Sequence, residues 1–324
     1  MTQSIRNLLL SAAVAAVPAT QIAAADFPTE AIRFIVGYPP GGSTDITARV
    51  IAEHLSQTTD ATFIVENRAG ASGVVGATSV ANATPDGHTL MFAASPEVAL
   101  VQALGREVEY DVEADFRPVT MLGQVEFVLV GRAGLPVDDL QGLIAHAQDN
   151  PGTMSFASFG TGTSNHLVGE SFKAATDTDM LHVPYAGSAP AMVDLLGGRV
   201  DIAFDTVPVV LPHIASGDLT PIGMATMDRS DLAPDIPTLD EQGLEGFVGG
   251  TWFGLFAPAG VDDDVVAWLN ETVGSALTDP EVAERLADRG VALMHTTPEE
   301  LASFVSSEIS RWIEVVETAG IEVE

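Results

Sequence analysis

The chain has 324 residues, of which 46% are hydrophobic, and its 13 Lys and Arg against 45 Asp and Glu give a net charge of −32. This length accommodates two ordinary domains with a sizeable core. The negative charge argues against nucleic-acid binding, because that affinity comes from neutralising phosphates with basic side chains. The sequence has no cysteine, which excludes thiolate metal sites and cysteine nucleophiles. The acids are spread along the chain, as is typical of a solvated acidic surface.

The first 25 residues have the pattern of an export signal. Arg6 provides a short basic region, residues 8–17 form an apolar run, and Ala23-Ala24-Ala25 offers a cleavage site of the A-x-A type. The apolar run is shorter than the roughly 20 residues that a membrane-spanning helix needs. A short buried helix is the alternative. We therefore expect cleavage near Ala25 and a mature chain in the periplasm.

Strand-like and helix-like segments alternate after residue 26, which favours an α/β fold with largely parallel sheets. The predicted strands are 32–36, 63–65, 89–92, 153–158 and 200–204. Helices are predicted to begin near Ser43, Ser164 and Ser188, and the last third of the chain contains starts at Asp279-Pro280 and at a Thr297-Pro298 capping box. Trp312 belongs to the apolar stripe of the last helix, and we expect it in the core.

Familiar catalytic signatures are missing from the sequence. It contains no G-x-x-x-x-G-K-[ST] loop, no H-E-x-x-H helix and no G-x-S-x-G elbow. The seven histidines stand singly, without metal-ligand spacing. We therefore predict no catalytic residues, no metal site and no cofactor. An enzyme stays open as an alternative, because catalytic groups meet in space rather than in sequence.

Two loops rich in glycine and hydroxyl side chains, one in each half of the chain, follow a predicted strand and precede a helix. They are Gly41-Gly42-Ser43-Thr44 and Gly160-Thr161-Gly162-Thr163-Ser164. A helix start carries unpaired N–H groups and about half a positive charge, and glycine lets a ligand approach this backbone closely. Each loop is a candidate anion cradle, with an ordinary βα turn as the alternative. Neutral donors of this kind let a chain with few Lys or Arg bind an anion.

Eight short motifs extend over nearly the whole mature chain. They are residues 38–45, 65–70, 85–90, 160–167, 183–190, 194–201, 235–239 and 252–260. Each motif alone is weakly specific, but the ordered series resembles the tripartite tricarboxylate transporter receptor family, whose members are also called Bug proteins.

The resemblance implies a type II periplasmic-binding-protein fold, in which two α/β lobes joined by a two-crossing hinge close over a carboxylate. The hinge crossings would lie near residues 123–125 and 225–227. The expected division is a signal peptide at 1–25, lobe one at 26–124 plus 227–324, and lobe two at 125–226. The resemblance also implies two partners, a small and a large integral membrane subunit that move the ligand with an ion gradient. We expect the receptor itself to be a monomer.

The resemblance also implies which residues bind the ligand. Lobe one would contribute Gly41, Gly42, Ser43, Asp45 and Ser95, and lobe two would contribute Ser158, Gly160, Thr161, Thr163, His166, Tyr185, Gly187 and Asp205. Asp45 has an alternative interpretation as a helix N-cap, and His166 as a structural hydrogen-bond partner. Tyr38 and Phe159, beside the two loops, could pack on an apolar part of the ligand or belong to the core. Asp205 is a poor partner for a second carboxylate, and we predict that it tunes the choice of ligand.

The sequence thus predicts a solute-binding receptor that captures a di- or tricarboxylate or a related organic acid. One ligand carboxylate would lie between the two helix N-termini, and lobe closure would bury it. Two alternatives stay open. The first is an exported enzyme with His166 as general base, which needs an acid or nucleophile within hydrogen-bond reach of that histidine. The second is a binding protein that signals to a sensor kinase.

Overall fold

The structure, a computed structural model, describes residues 27–319. The predicted signal peptide lies outside these residues. The described strands are β1 (Ile32–Val36), β2 (Phe63–Asn67), β3 (Thr89–Ala94), β4 (Phe116–Arg132), β5 (Met154–Ser158), β6 (Met180–Pro184), β7 (Ile202–Thr206), β8 (Leu219–Met224), β9 (Gly250–Pro258) and β10 (Val291–Leu293). The helices are α1 (Ser43–Thr58), α2 (Val74–Ala81), α3 (Val101–Ala103), α4 (Val112–Asp115), α5 (Leu140–Asp149), α6 (Ser164–Thr176), α7 (Ser188–Leu196), α8 (Val207–Ser216), α9 (Asp263–Leu277), α10 (Pro280–Ala287) and α11 (Pro298–Ala319). Across residues 27–319, no helix combines the length and apolar character required to span a bilayer.

The strands form one mixed sheet in the order β2-β1-β3-β9-β4-β7-β5-β6, and β8 and β10 also pair with β4. The pairs β1–β2, β1–β3, β5–β6 and β5–β7 are parallel. Every pair that involves β4 or β9 is antiparallel. The expectation of largely parallel sheets was therefore wrong at the centre of the molecule, because these two strands run against their neighbours.

Strand β4 is 17 residues long and serves both halves of the sheet. Its residues up to Glu126 pair with β9, and those from Phe127 onward pair with β7 and β8. At this junction the Ala225 N–H donates to Phe127 O (2.8 Å), and the Gly249 N–H donates to Ala225 O (2.8 Å). We place the two chain crossings here, between residues 126 and 127 and between residues 249 and 250.

The segment between these crossings alters the expected lobe boundaries. Residues 227–249 were expected in lobe one, but Ile236, Leu239 and Phe247 pack in the apolar clusters of the second half. We therefore propose that lobe one comprises residues 27–126 and 250–319 and that lobe two comprises residues 127–249. The hydrophobic side chains of a returning loop, rather than its sequence position, decide which lobe it joins.

Each lobe buries apolar clusters against its part of the sheet. In lobe one, Val50, Ile51 and Leu55 share the face of α1 that packs on β1, which is the helical periodicity that the sequence shows. In lobe two, Phe156 and Phe204 lie in the corresponding core. β1 agrees with its prediction residue for residue, whereas β7 extends to Thr206 and so includes Asp205, which was expected at the strand's end.

The last helix, α11, packs on both lobes. Its start is the predicted capping box, in which the Thr297 N–H donates to Glu300 Oε2 (2.8 Å) and the Glu300 N–H donates to Thr297 Oγ1 (3.2 Å). Leu301 lies in a core cluster of lobe one, and Trp312 lies in the core of lobe two. The prediction that Trp312 is a core residue is confirmed, and the helix connects the two cores.

Gly169 lets α6 lie directly against the ring of Phe156 in β5. A β carbon at position 169 would lie 2.3 Å from that ring, and Phe156 is 1% exposed in a packed core that leaves it no room to move. We expect Gly169→Ala to lower the free energy of unfolding by about 1–3 kcal/mol, the usual cost of overpacking a core. Urea denaturation followed by circular dichroism measures this difference.

Gly274→Ala in α9 is the matched control. A β carbon there would lie 2.4 Å from the ring of His295, but His295 is exposed and can turn away. Alanine also favours a helix over glycine by about 1 kcal/mol. This variant should be neutral or more stable, and an equal loss in both variants would contradict the role given to Phe156.

Candidate functional site

A cleft lies between the two lobes and encloses about 730 Å³, including solvent at its mouth. Its walls come from the loops that follow β1, β3, β5, β6 and β7. These loops lie at the carboxyl ends of their strands, where ligands bind in open α/β sheets. Tyr38, Phe127, Phe159 and Val209 give the walls apolar surface. Tyr38 and Phe159 are therefore cleft residues.

Four helices begin at this cleft without a capping side chain. Their N-cap residues are Gly42 for α1, Thr163 for α6, Gly187 for α7 and Thr206 for α8. All four N-cap residues line the cleft. Away from the cleft, aspartate side chains cap α4, α5 and α10. Three helix starts away from the cleft, those of α2, α3 and α9, also lack a capping side chain, so the cleft is distinguished by the meeting of four uncapped helix starts in one place.

The electrostatics of the cleft come from the backbone. Among the residues in the 27–319 range, no Lys or Arg lines it, and the carboxyl of Asp205 is its one acidic group. Each helix N-terminus carries about half a positive charge, and the hydroxyl of Ser43 stands beside the start of α1. The hydroxyls of Thr163 and Ser188 already donate to Gly160 O (2.6 Å) and to Asp205 Oδ2 (2.7 Å), so the donors available at the starts of α6 and α7 are backbone N–H groups. The arrangement can hold a small anion with backbone and hydroxyl donors alone.

The predicted ligand residues divide into two groups. Tyr38, Gly42, Ser43, Thr163, Gly187 and Asp205 line the cleft. Gly41, Asp45, Ser95, Ser158, Gly160, Thr161, His166 and Tyr185 lie outside its lining. The residues of the second group make contacts that hold the cleft loops in place.

Asp45 supports the first loop from behind. It is 2% exposed, and its carboxylate accepts hydrogen bonds from the Gly41 N–H (2.9 Å), Arg49 Nε (3.0 Å) and Asn67 Nδ2 (2.8 Å). Burial acts to raise the pKa of Asp45, but the hydrogen bonds from Arg49, Gly41 and Asn67 together lower it below its ordinary value. Gly41 has φ 94°, a conformation that suits glycine. The predicted alternative of Asp45 as an N-cap is wrong, since Gly42 is the N-cap.

His166 supports the second loop in a similar way. Its Nδ1 accepts a hydrogen bond from the Gly162 N–H (3.1 Å), and its ring stacks on His182 with centroids 3.9 Å apart. Burial, followed by the charges of His182 and Lys173, lowers the pKa of His166 to about 3. A neutral imidazole with its Nδ1 lone pair already bonded is a poor general base for a ligand in the cleft. The enzyme alternative therefore loses the residue on which it depended.

The side chains of three further predicted residues are held by hydrogen bonds to other residues of the protein. The Ser158 hydroxyl bonds His182 Nε2, and the Tyr185 hydroxyl donates to a carboxylate on α7 (2.9 Å). Ser95 Oγ lies 2.7 Å from Ser164 Oγ, a contact that connects the lobes. Ser164 lines the cleft and Ser95 does not, so Ser95 contacts a residue of the cleft wall without being part of the lining itself.

Asp205 lies in the cleft wall and is 1% exposed. Its carboxylate accepts hydrogen bonds from Ser188 Oγ (2.7 Å) and from the Thr206 N–H (2.7 Å). Burial raises the pKa of Asp205 to about 6, although these two hydrogen bonds act to lower it. The charge in the cleft wall therefore changes between mildly acidic and neutral pH.

Several polar residues of the cleft lining were not assigned to the ligand from the sequence, among them Ser188, Thr206 and Thr251. Ser188 begins a helix that the sequence does predict, and Thr206-Val207-Pro208 has the N-cap hydroxyl and early proline of a helix start. Both could have been found by examining every strand-to-helix junction. Thr251, which also lines the cleft, carries no such signal, because it lies at the start of β9 and not at a strand-to-helix junction.

Comparison with known proteins identifies relatives over almost the whole chain. The profile described as "Tripartite tricarboxylate transporter family receptor" matches residues 47–321. Protein BugT of Bordetella pertussis is 38% identical over 307 residues, which cover 94% of this chain and 94% of BugT. The similarity therefore includes both lobes and the crossings between them.

Two solved structures share the architecture. R. palustris Rpa4515 with adipate is 33% identical with a TM-score of 0.88, and the match covers 91% of this chain and 99% of that one. MatC (Rpa3494) from Rhodopseudomonas palustris with bound malate is 33% identical with a TM-score of 0.84, over 90% and 100% of the two chains. The predicted type II periplasmic-binding-protein fold is confirmed. On these grounds, as the series of motifs predicted, the chain belongs to the tripartite tricarboxylate transporter receptor family.

Proposed function

We propose that this protein is an exported solute-binding receptor that captures a small dicarboxylate and delivers it to two integral membrane subunits of a transporter. The observation that carries the proposal is the meeting of four uncapped helix N-termini at a cleft without Lys or Arg in its described lining. The relatives with adipate and malate support the ligand class, since both ligands are dicarboxylates. The membrane partners rest on the family. Export with cleavage near Ala25 rests on the sequence of residues 1–25.

In this proposal one ligand carboxylate accepts hydrogen bonds from helix N-termini of both lobes. Ser43 at the start of α1 belongs to lobe one, and Ser164 at the start of α6 belongs to lobe two. Neither lobe alone offers the full set of donors, so closure completes the site and excludes water from it. The rest of the ligand packs on Tyr38 and Phe159.

Asp205 faces the remaining part of the ligand in this arrangement. When ionised it repels a second carboxylate, and when protonated it offers that carboxylate a hydrogen bond. A hydroxyl or ammonium group in the same place is favoured by the ionised form. Asp205 therefore selects among carboxylates by the group at their far end.

A thermal-shift screen of the mature protein against malate, adipate and other small carboxylates tests the proposal. A ligand at about 100 times its Kd should stabilise the fold by roughly 2.7 kcal/mol. The shift should persist at high salt, because backbone donors inside a closed cleft are screened less than surface charges. No stabilisation by any carboxylate at either salt concentration would refute the proposed ligand class.

Gly42→Asp should separate binding from stability. A β carbon at position 42 has no atom within 4 Å, and φ −81°, ψ 168° suits an N-cap. Aspartate caps a helix better than glycine by a few tenths of a kcal/mol, so the melting temperature should hold or rise. The added charge at the anion site should weaken dicarboxylate binding by at least about 100-fold, as measured by calorimetry.

Gly42→Asn is the matched control, because asparagine has the same size and capping ability without the charge. We expect it to keep affinity within about tenfold of the original protein. Equal losses in the two variants would mean that the side chain blocks the ligand sterically, which would contradict an anion site at this helix start.

Asp205→Asn should remove a pH dependence of binding. Asp205 is mostly protonated below its pKa of about 6 and ionised above it, so its repulsion of a second carboxylate is absent at pH 5 and complete at pH 8. Compared with the original protein, the variant should bind adipate equally at pH 5 and about tenfold more tightly at pH 8. The affinity of the variant is divided by that of the original protein at each pH. Ionisation of adipate affects both affinities equally and therefore does not change this ratio.

Asp218→Asn, a change at an exposed aspartate between α8 and β8, is the control and should give a ratio near one throughout. Calorimetric titrations at four pH values between 5 and 8 supply these ratios. A pH-independent ratio for Asp205→Asn would show that Asp205 does not face the ligand.

A further inference from the structure

The short segment Gly70–Gly73 has an unusual backbone. Its four consecutive residues all have positive φ, at 146°, 47°, 57° and 93°. Ala71 and Ser72 are two of the three described non-glycine residues in this region of backbone space, which is costly for residues with a β carbon. Such a conformation persists only where surrounding contacts offset its cost, so those contacts indicate what the segment does.

One contact of this segment crosses to the other lobe. Ser72 Oγ donates a hydrogen bond of 2.7 Å to the carbonyl oxygen of Thr161, 89 residues further along the chain. Thr161 belongs to the loop between β5 and α6, which was expected to cradle the ligand. Its carbonyl instead accepts a hydrogen bond from lobe one.

The two glycines beside Thr161 also face lobe one. A β carbon at Gly160 would lie 3.2 Å from Ser72 Oγ, and one at Gly162 would lie 3.0 Å from a guanidinium nitrogen of Arg106. Residues 160, 161 and 162 are absent from the cleft lining. The glycines in this segment therefore allow close approach of the opposite lobe rather than of a ligand.

Both sides of this contact connect to the cleft wall. On lobe one, the Tyr38 hydroxyl lies 3.3 Å from Ser72 O and 2.7 Å from a carboxylate oxygen of the buried Glu97, and Tyr38 lines the cleft. On lobe two, Gly162 is tied to His166 of α6, whose first residues line the cleft. A contact that joins these loops holds the two walls at their closed separation.

We propose that Ser72 is a closure latch, which holds the lobes together through the Gly160–Gly162 segment without touching the ligand. The proposal deepens the proposed function, because a latch on the closed form sets how long a captured ligand stays bound. It assigns Gly160 and Thr161 to lobe closure, although the family resemblance had placed them at the ligand.

Dissociation rates of malate and adipate from Ser72→Ala test the latch. Loss of one neutral hydrogen bond should speed dissociation by about 3- to 10-fold, by the same factor for both ligands, with little change in the association rate. Ser79→Ala is the matched control, since Ser79 donates an equally short bond of 2.7 Å to Gly76 O within lobe one. Equal dissociation rates for the two variants, or a factor that differs between the ligands, would overturn the proposal.

A cross-link tests the same contact without any ligand. The chain has no cysteine, and the separation of position 160 from Ser72 is within the reach of a disulfide. Oxidation of Ser72→Cys/Gly160→Cys should join the lobes, as seen by peptide mapping, whereas Ser79→Cys/Gly160→Cys should not cross-link. The control variant carries the same cysteine at the strained position 160 and therefore shows whether the protein still folds with it. If the control folds and the Ser72→Cys/Gly160→Cys variant forms no disulfide, the latch is contradicted. If no carboxylate stabilises the protein, the proposed function is refuted. The cross-link would still test the contact between the lobes, because it needs no ligand.

Discussion

The first N–H groups of a helix need a hydrogen-bond acceptor, and the way the chain meets this need determines where an anion can bind. At α4, α5 and α10 the chain meets it with aspartates. At the cleft it provides no capping side chain for four helices, so their partial charges act together on whatever occupies that space. Ten of the twelve Lys and Arg within residues 27–319 lie within 4 Å of a carboxylate. In so acidic a chain a basic side chain is readily neutralised, whereas the field of a helix terminus is not.

A site made from backbone has a second requirement, because N–H groups point correctly only if their loops are rigid. Buried polar side chains provide that rigidity from behind. Asp45 connects the turn at Gly41 to α1 and to Asn67 of β2, and His166 fixes Gly162. These residues look like ligand contacts in the sequence because they lie within a few positions of the cleft. From their hydrogen bonds we infer that they shape the site rather than form its surface.

The sequence predicted what local chemistry determines. Turn residues, caps and apolar periodicity located β1, α7, α10 and the capping box of α11, and an ordered series of motifs indicated the family. The sequence did not predict the antiparallel β4 and β9, because nothing local reports which strand lies beside which. For the same reason the lobe division that we propose differs from the expected one at residues 227–249, whose assignment to lobe two rests on the packing of Leu239 and Phe247 in that core. Within the two loops, sequence identified the right segments but could not tell which atoms face inward. Gly42 and Gly160 both belong to a glycine- and hydroxyl-rich loop between a strand and a helix. In the structure, however, Gly42 lines the cleft, whereas Gly160 lies against the other lobe.

Helix α11 has a consequence for how the lobes can move. It is anchored in one core by Leu301 and in the other by Trp312, and between them Glu308 accepts hydrogen bonds from the indoles of Trp252 (3.2 Å) and Trp312 (3.3 Å). A helix cannot stretch, so the lobes cannot separate along its axis while both anchors hold. We therefore expect opening to be a rotation of limited amplitude about this helix, with the two tryptophans close to the axis of rotation. Helix α11, at the end of the described chain, thus defines the axis about which we expect the lobes to rotate.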